Sequence, residues 1–245
     1  MSRTDRERLR GMSEEEIAAG IADDPDALPG DAAFRERARV VIPPGGGRAA
    51  TKARGEEPTE RLTDPLARLV RFERLREPHV APLTAFVEEV RATSGREAVP
   101  YIDPAGGGVR AGRLLVLQSP VPRAVETGFV SLDNPTGTAA NLRRLLAEAG
   151  IPRADTVLWN IVPWVLARPP RLADIRDGAF WLDRLMRLLP RLQAVVFLGL
   201  DAQRGGRFVS LPPGVRPVAT YHPSPNTLAG YPHYRAKIVE AFRTA

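Results

Sequence analysis

The stretch VRPVATYHPSP, residues 215–225, runs from an apolar, strand-like segment directly into His222-Pro223-Ser224-Pro225. Proline fixes its own φ and pushes the residue before it into the extended region. His222 and Ser224 both precede a proline, so the backbone here has little freedom. A stiff turn of this kind can hold a catalytic imidazole in one place, or press into a nucleic-acid groove without collapsing.

The chain before this turn repeats one pattern. RLLVLQS (113–119) is an apolar run of strand length, TAANLRRLLAEAG (138–150) reads as a helix beginning near Thr138 and stopped by Gly150, and DTVLWNIVP (155–163) reads as a second strand. Residues 174–189 have helical spacing, with Ala179, Leu182, Leu185, Met186 and Leu189 on one side. AVVFLG (194–199) is a third strand, residues 215–221 a fourth, and residues 231–242 a closing helix. Continuous apolar strands separated by helices predict a parallel sheet covered on both faces. The expected fold is therefore α/β, a three-layer α/β/α arrangement around a central four-stranded parallel sheet. Ligands in such sheets bind outside the carboxyl ends of the strands. Those ends carry Gln118-Ser119-Pro120, Asn160 and His222, each a polar break in an apolar run, while the third strand ends in Gly199 with Asp201 as the expected cap of the next helix.

Upstream, Leu66, Leu69, Val70, Phe72 and Leu75, then Leu83, Phe86, Val87 and Val90, fit helical spacing. Residues 13–23 read as a short acidic helix with Ser13 and Glu16 as a capping box. PPGGGRAATKARGEEP (43–58) is poor in apolar residues and rich in Gly and Pro, the composition of a linker. The division expected is a flexible acidic extension and linker over residues 1–60 and one domain over residues 61–245.

Composition narrows the function. The 245 residues contain no cysteine, which excludes disulfides, thiolate zinc sites, cysteine-ligated iron–sulfur clusters and a cysteine nucleophile. The three histidines, His79, His222 and His233, have no metal-ligand spacing, so neither a metal nor another cofactor is expected. No apolar run approaches a membrane span and no apolar segment follows the charged N-terminus, so a cytoplasmic protein without membrane contact is expected. Residues 1–60 carry 10 Lys/Arg against 13 Asp/Glu, a balance of −3, whereas residues 61–245 carry 25 against 16, a balance of +9. A basic domain is the footprint of a phosphate-backbone binder, so a nucleic-acid partner is expected.

Taken in order, Leu117-Gln118-Ser119-Pro120, Asn160 in VLWNIVPW, and His222–Pro225 resemble the motifs of the uracil-DNA glycosylase superfamily, and Gly128-Phe129 supplies the phenylalanine expected after the first motif. The resemblance covers roughly residues 62–245 and points to a cysteine-free bacterial branch with HPSP. It implies base flipping, since the N-glycosidic bond is out of reach inside a duplex. It further implies that His222 donates to the oxyanion of the departing uracil, and that Asn160 reads the base edge with a donor and an acceptor together. Phe129 stacks on the base, or else packs in the core, while Gln118 lines the pocket with Pro120 and Val121 and orients the sugar or water, and Ser119 holds the water. Pro223, Ser224, Pro225, Asn226 and Arg235 contact the DNA. The most active branch has an aspartate at the position of Ser119, a tyrosine at that of Val121 and often a leucine at that of Asn226. Serine holds a water but carries no charge opposite an oxocarbenium ion.

The function implied is a metal-free hydrolase acting as a monomer in base excision repair, releasing uracil from DNA. It is monofunctional, because only Lys52 and Lys237 exist and neither is placed for Schiff-base chemistry. Two alternatives stand beside it. One is a member that binds uracil or damaged DNA with weak turnover, motivated by Ser119. The other is a glycosylase for another base such as hypoxanthine, motivated by the small Val121. Trp159 and Trp164 are read as packing residues, and His79 and His233 as surface or packing residues.

Overall fold

The structure, a computed structural model, describes residues 62–245. The extension expected over residues 1–60 lies outside the described residues.

Four five-residue strands form a parallel sheet: β2 (Arg113–Leu117), β4 (Thr156–Asn160), β5 (Ala194–Leu198) and β6 (Arg216–Thr220), in the order β4-β2-β5-β6. The sequences of β2, β4 and β5 are largely apolar and buried on both faces, whereas β6, at the edge of the sheet, is mostly exposed, and strand alternation separates the two faces. Leu114, Val116, Val157, Trp159, Val195 and Phe197 face one core. That core is closed by helix α2 (Ala81–Ser94) through Leu83, Phe86, Val87 and Val90, and by α5 (Leu172–Met186) through Ile175, Ala179, Leu182, Leu185 and Met186. Leu115, Leu117, Leu158, Ala194, Val196 and Leu198 face the other core. There α4 (Gly137–Ala149) contributes Leu142, Leu145 and Leu146, and α8 (Tyr234–Thr244) contributes Ile238, Val239 and Phe242. The three layers expected from sequence are those of the structure.

Smaller elements complete the domain. Helix α1 (Pro65–Glu73) is capped by Asp64, whose carboxylate accepts from the Leu66 amide. Two-residue strands β1 (Tyr101–Ile102) and β3 (Phe129–Val130) pair in parallel, with α3 (Pro122–Thr127) between them in sequence. Helix α6 (Leu200–Gly206) follows β5, and α7 (Pro225–Gly230) follows β6. Helix α4 begins one residue before the expected stretch, with Thr138 as its second residue and Thr136 as its cap.

Most apolar positions of α1 do not face the core, although Ala67 is buried and the Phe72 ring packs on Phe129. Leu66, Leu69, Val70 and Phe72 are 66, 57, 43 and 40 % exposed, whereas Arg71 on the opposite side is buried. Arg71 reaches Asp103 at 2.5 Å and Asp133 at 3.2 Å, and Arg153 reaches the same two carboxylates at 2.6 and 2.7 Å. Two arginines and two aspartates thus fasten α1 to the segments after β1 and β3 and to the turn before β4. No helix among the described residues is long and apolar enough to cross a membrane.

Candidate active site

The strand order sets the polar strand ends in a row along the carboxyl edge of the sheet: Asn160, then Gln118, then Gly199 with Asp201, then His222. Asn160 and His222 stand on the outer two strands, three inter-strand steps or about 14 Å apart between backbones. Asn160 pairs in register with Leu117, and the ladder continues past both strands. Ile161 donates to the Leu117 carbonyl at 2.7 Å and Val162 to the Gln118 carbonyl at 2.9 Å. The Gly199 amide donates to the Thr220 carbonyl at 2.9 Å, and Gln203 Nε2 donates to the same oxygen at 2.8 Å. The backbone that presents these side chains is therefore fixed on every strand.

Asn160 is only 3 % exposed, yet its carboxamide makes no hydrogen bond among the described residues. The Ser119 hydroxyl and the His222 imidazole, both half-buried, are equally unspent. His222 packs on Gly199, where an added Cβ would lie 2.9 Å from the His222 Cβ and 3.4 Å from its Cδ2. Gly199 also has φ +89°, a conformation open to glycine and strained for other residues. Burial lowers the His222 pKa below its ordinary value, and the negative charge of Asp201 opposes that shift without reversing it. The imidazole is accordingly neutral at pH 7, able to donate through one ring nitrogen.

Gln118 Nε2 donates to Asp201 Oδ2 in a short hydrogen bond. The cap expected of Asp201 is taken by Gly199, because Asp201 is the second residue of α6 and its carboxylate is occupied by Gln118 and by Arg204 at 3.1 Å. Its proximity to Gln118, 83 positions away in sequence, had no sequence signal beyond its place after a strand.

The HPSP turn is held from behind. Asn141 Nδ2, on α4, donates to the Pro223 carbonyl at 2.9 Å, and Pro223 itself is buried. The Ser224 hydroxyl caps α7, accepting from the Thr227 amide at 3.2 Å and lying 2.7 Å from Thr227 Oγ1. That hydroxyl is committed to the turn. Pro225 and Asn226 are exposed beyond it, and Arg235 is exposed but paired with Glu148.

The remaining expected residues divide. Pro120 is buried in the turn after β2, and Val121 is 49 % exposed at the start of α3. Phe129 lies apart from the row, on β3, with 0 % exposure. Its ring packs 4.6 Å from that of Phe72 and clusters with Leu62 and Leu75, so Phe129 is a core residue here with no face open to a base. Trp159 and Trp164 are buried, the former against Phe86, and His79 Nε2 bonds the Pro104 carbonyl at 3.0 Å. Among the described residues no three His, Asp or Glu side chains gather closely enough to hold a metal ion.

Comparison with known proteins bears on this row of polar strand ends. A search of curated proteins finds no match. A crystal structure of mimivirus UNG Y322F in complex with UGI is similar at 15 % identity, over 64 % of this chain and 69 % of that chain, with a TM-score of 0.32. The family model described as uracil DNA glycosylase superfamily matches residues 91–243, a span that holds Gln118, Ser119, Asn160, Asp201 and His222. The chain belongs to the uracil DNA glycosylase superfamily.

Proposed function

We propose that this protein hydrolyses the N-glycosidic bond of deoxyuridine in DNA, with the base flipped into the carboxyl edge of the sheet. One observation carries the reading: Asn160, Ser119 and His222 bring unspent hydrogen-bonding groups to that edge of a chain belonging to this superfamily. A planar base between the outer strands would accept from the neutral His222 as negative charge grows on it in the transition state, a donor aimed at charge that develops rather than charge already present. Asn160 would pair with N3–H and O4, which cytosine presents with donor and acceptor reversed. Ser119 would hold the water and Gln118 would orient it. The exposed Pro225 and Asn226, with the +9 balance of residues 61–245, suit a polyanionic substrate. All of this chemistry falls in residues 61–245.

The test is a single-stranded oligonucleotide carrying one deoxyuridine, incubated with the protein and then cleaved by alkali at abasic sites. Release by the wild type is expected, with His222→Ala slower by about 10²–10³-fold, the usual cost of one such donor. Wild-type release no greater than that of His222→Ala would overturn the reading. A second reading, uracil-selective binding with slow turnover, is favoured by Ser119, which supplies no charge opposite a cationic sugar. It predicts selective capture of the deoxyuridine strand without base release, and a gain in turnover for Ser119→Asp.

A further inference from the structure

Between the base-facing strand ends lies a carboxylate that the proposed mechanism leaves without a role. Asp201 stands on α6 directly after β5, the strand between Gln118 on β2 and His222 on β6. Its side chain is 13 % exposed. One oxygen receives Gln118 Nε2 and the other receives Arg204 at 3.1 Å. An ionised carboxylate only accepts, so it distinguishes the two ends of a carboxamide: Nε2 can face it and Oε1 cannot. The Gln118 amide is thus fixed in one of its two orientations, with its acceptor oxygen turned away from Asp201. Nothing else among the described residues hydrogen-bonds that carboxamide.

We propose that Asp201 is a positioning residue, fixing Gln118 so that Oε1 serves as the hydrogen-bond acceptor for the attacking water. This rests on the uracil-hydrolysis reading and deepens it on the sugar side. Ser119 offers the water a neutral hydroxyl; the oriented Gln118 oxygen is the second point that defines its place. The charge that helps do this is carried one strand over, on β5, instead of at the end of β2. Among the described residues Asp201 is also the charged group whose field acts on the His222 imidazole, so one carboxylate influences both sides of the row.

Two variants and two readouts test the proposal. Asp201→Ala removes the acceptor, and the rate of uracil release at saturating oligonucleotide should fall by about 10–10²-fold with KM little changed, as expected when a reacting group is misplaced and binding is not. Asp201→Asn keeps the shape and an acceptor oxygen but loses the discrimination between amide ends, and its kcat should lie between the two. The second readout needs no activity: the His222 ring signals are followed by NMR against pH in wild type and Asp201→Asn, a titration simplified by a total of three histidines. Without the opposing charge His222 should titrate at lower pH than in the wild type. A His222 titration unmoved by Asp201→Asn, or an Asp201→Ala kcat within twofold of an active wild type, would overturn the role of Asp201. A wild type that releases no uracil while the titration moves as expected would overturn the hydrolysis reading, and with it the water-positioning role, leaving only the electrostatic coupling.

Discussion

Asp103→Ala should destabilise the fold by about 3–5 kcal/mol, the cost of removing one partner from a buried ion pair. Asp103 is 6 % exposed and accepts from Arg71 at 2.5 Å, from Arg153 at 2.6 Å, from the Ala105 amide at 2.9 Å and, in a short bond, from Ser131. Its loss would leave two guanidinium groups, one of them 5 % exposed, to share the single remaining Asp133. Asp133 is already imperfectly used, since its Oδ1 is buried with no hydrogen bond. Asp103→Asn preserves shape and most hydrogen bonds and should cost less. The exposed pair Arg123–Glu126 is the control, where Glu126→Ala should cost no more than about 0.5–1 kcal/mol. Denaturant midpoints at constant m-value give the comparison, and equal midpoints for Asp103→Ala and wild type would refute it.

The same group gives the protein an acid limb. Burial alone would raise the Asp103 pKa, but Arg153 and Arg71, with the bonds from Ser131 and Ala105, more than offset it and hold the pKa below the ordinary value. A carboxylate whose folded pKa is depressed stabilises the fold above its unfolded pKa of about 3.9, and that contribution is lost as pH falls through the folded value. Stability measured from pH 5 downward should therefore fall less steeply in Asp103→Asn than in the wild type.

The sheet was legible because β2, β4 and β5 are largely apolar runs, a pattern that burial on both faces explains, while the edge strand β6 is mostly exposed. Its carboxyl ends were legible for the converse reason: Gln118, Asn160 and His222 are polar where the run should continue. Helix α1 shows where such reading stops. Its spacing announces an amphipathic helix, but periodicity does not say which face packs, and the answer came from Asp103 and Asp133, 32 and 62 positions from Arg71. Strands β1 and β3, two residues each, are too short to leave a pattern, so sequence alone does not choose between a stacking and a core role for Phe129, whereas its pairing with Tyr101 places it under Phe72. Asp201 was misplaced by a local rule. After a strand and a glycine an aspartate suits a cap, but the helix is capped two residues earlier, at Gly199, and the carboxylate is available to Gln118.

Asn160 is held by contacts that no single-residue pattern reveals, and Gly178→Ala should expose them. Gly178 lies in α5, where a Cβ would stand 1.6 Å from the Ile161 carbonyl oxygen and 3.2 Å from the Val162 Cα. Both are backbone atoms next to Asn160, locked to β2 by the bonds from Ile161 and Val162, so they have no room to give. On α6, Gly205 makes the matching approach: its Cβ would lie 2.2 Å from Ile161 Cγ1. Ile161 is thus seated between two helices that approach it through glycine, and a methyl at Gly178 must move either α5 or the strand end. Overpacking usually costs about 1–3 kcal/mol, and a clash with backbone belongs at the top of that range or above it. Shifting α5 alone would open the core around Ile175 and Leu182. Shifting Ile161 would carry Asn160 with it and reduce uracil release more than the loss of folded protein accounts for. Gly230→Ala is the counterpart, with nothing within 4 Å of the added Cβ, and should stay within about 0.5 kcal/mol of wild type. Chemical denaturation of both variants, beside the deoxyuridine assay on the folded fraction, separates the two responses. A Gly178→Ala protein as stable as Gly230→Ala would mean that α5 does not press on the strand end, and that Asn160 takes its place from β2 alone.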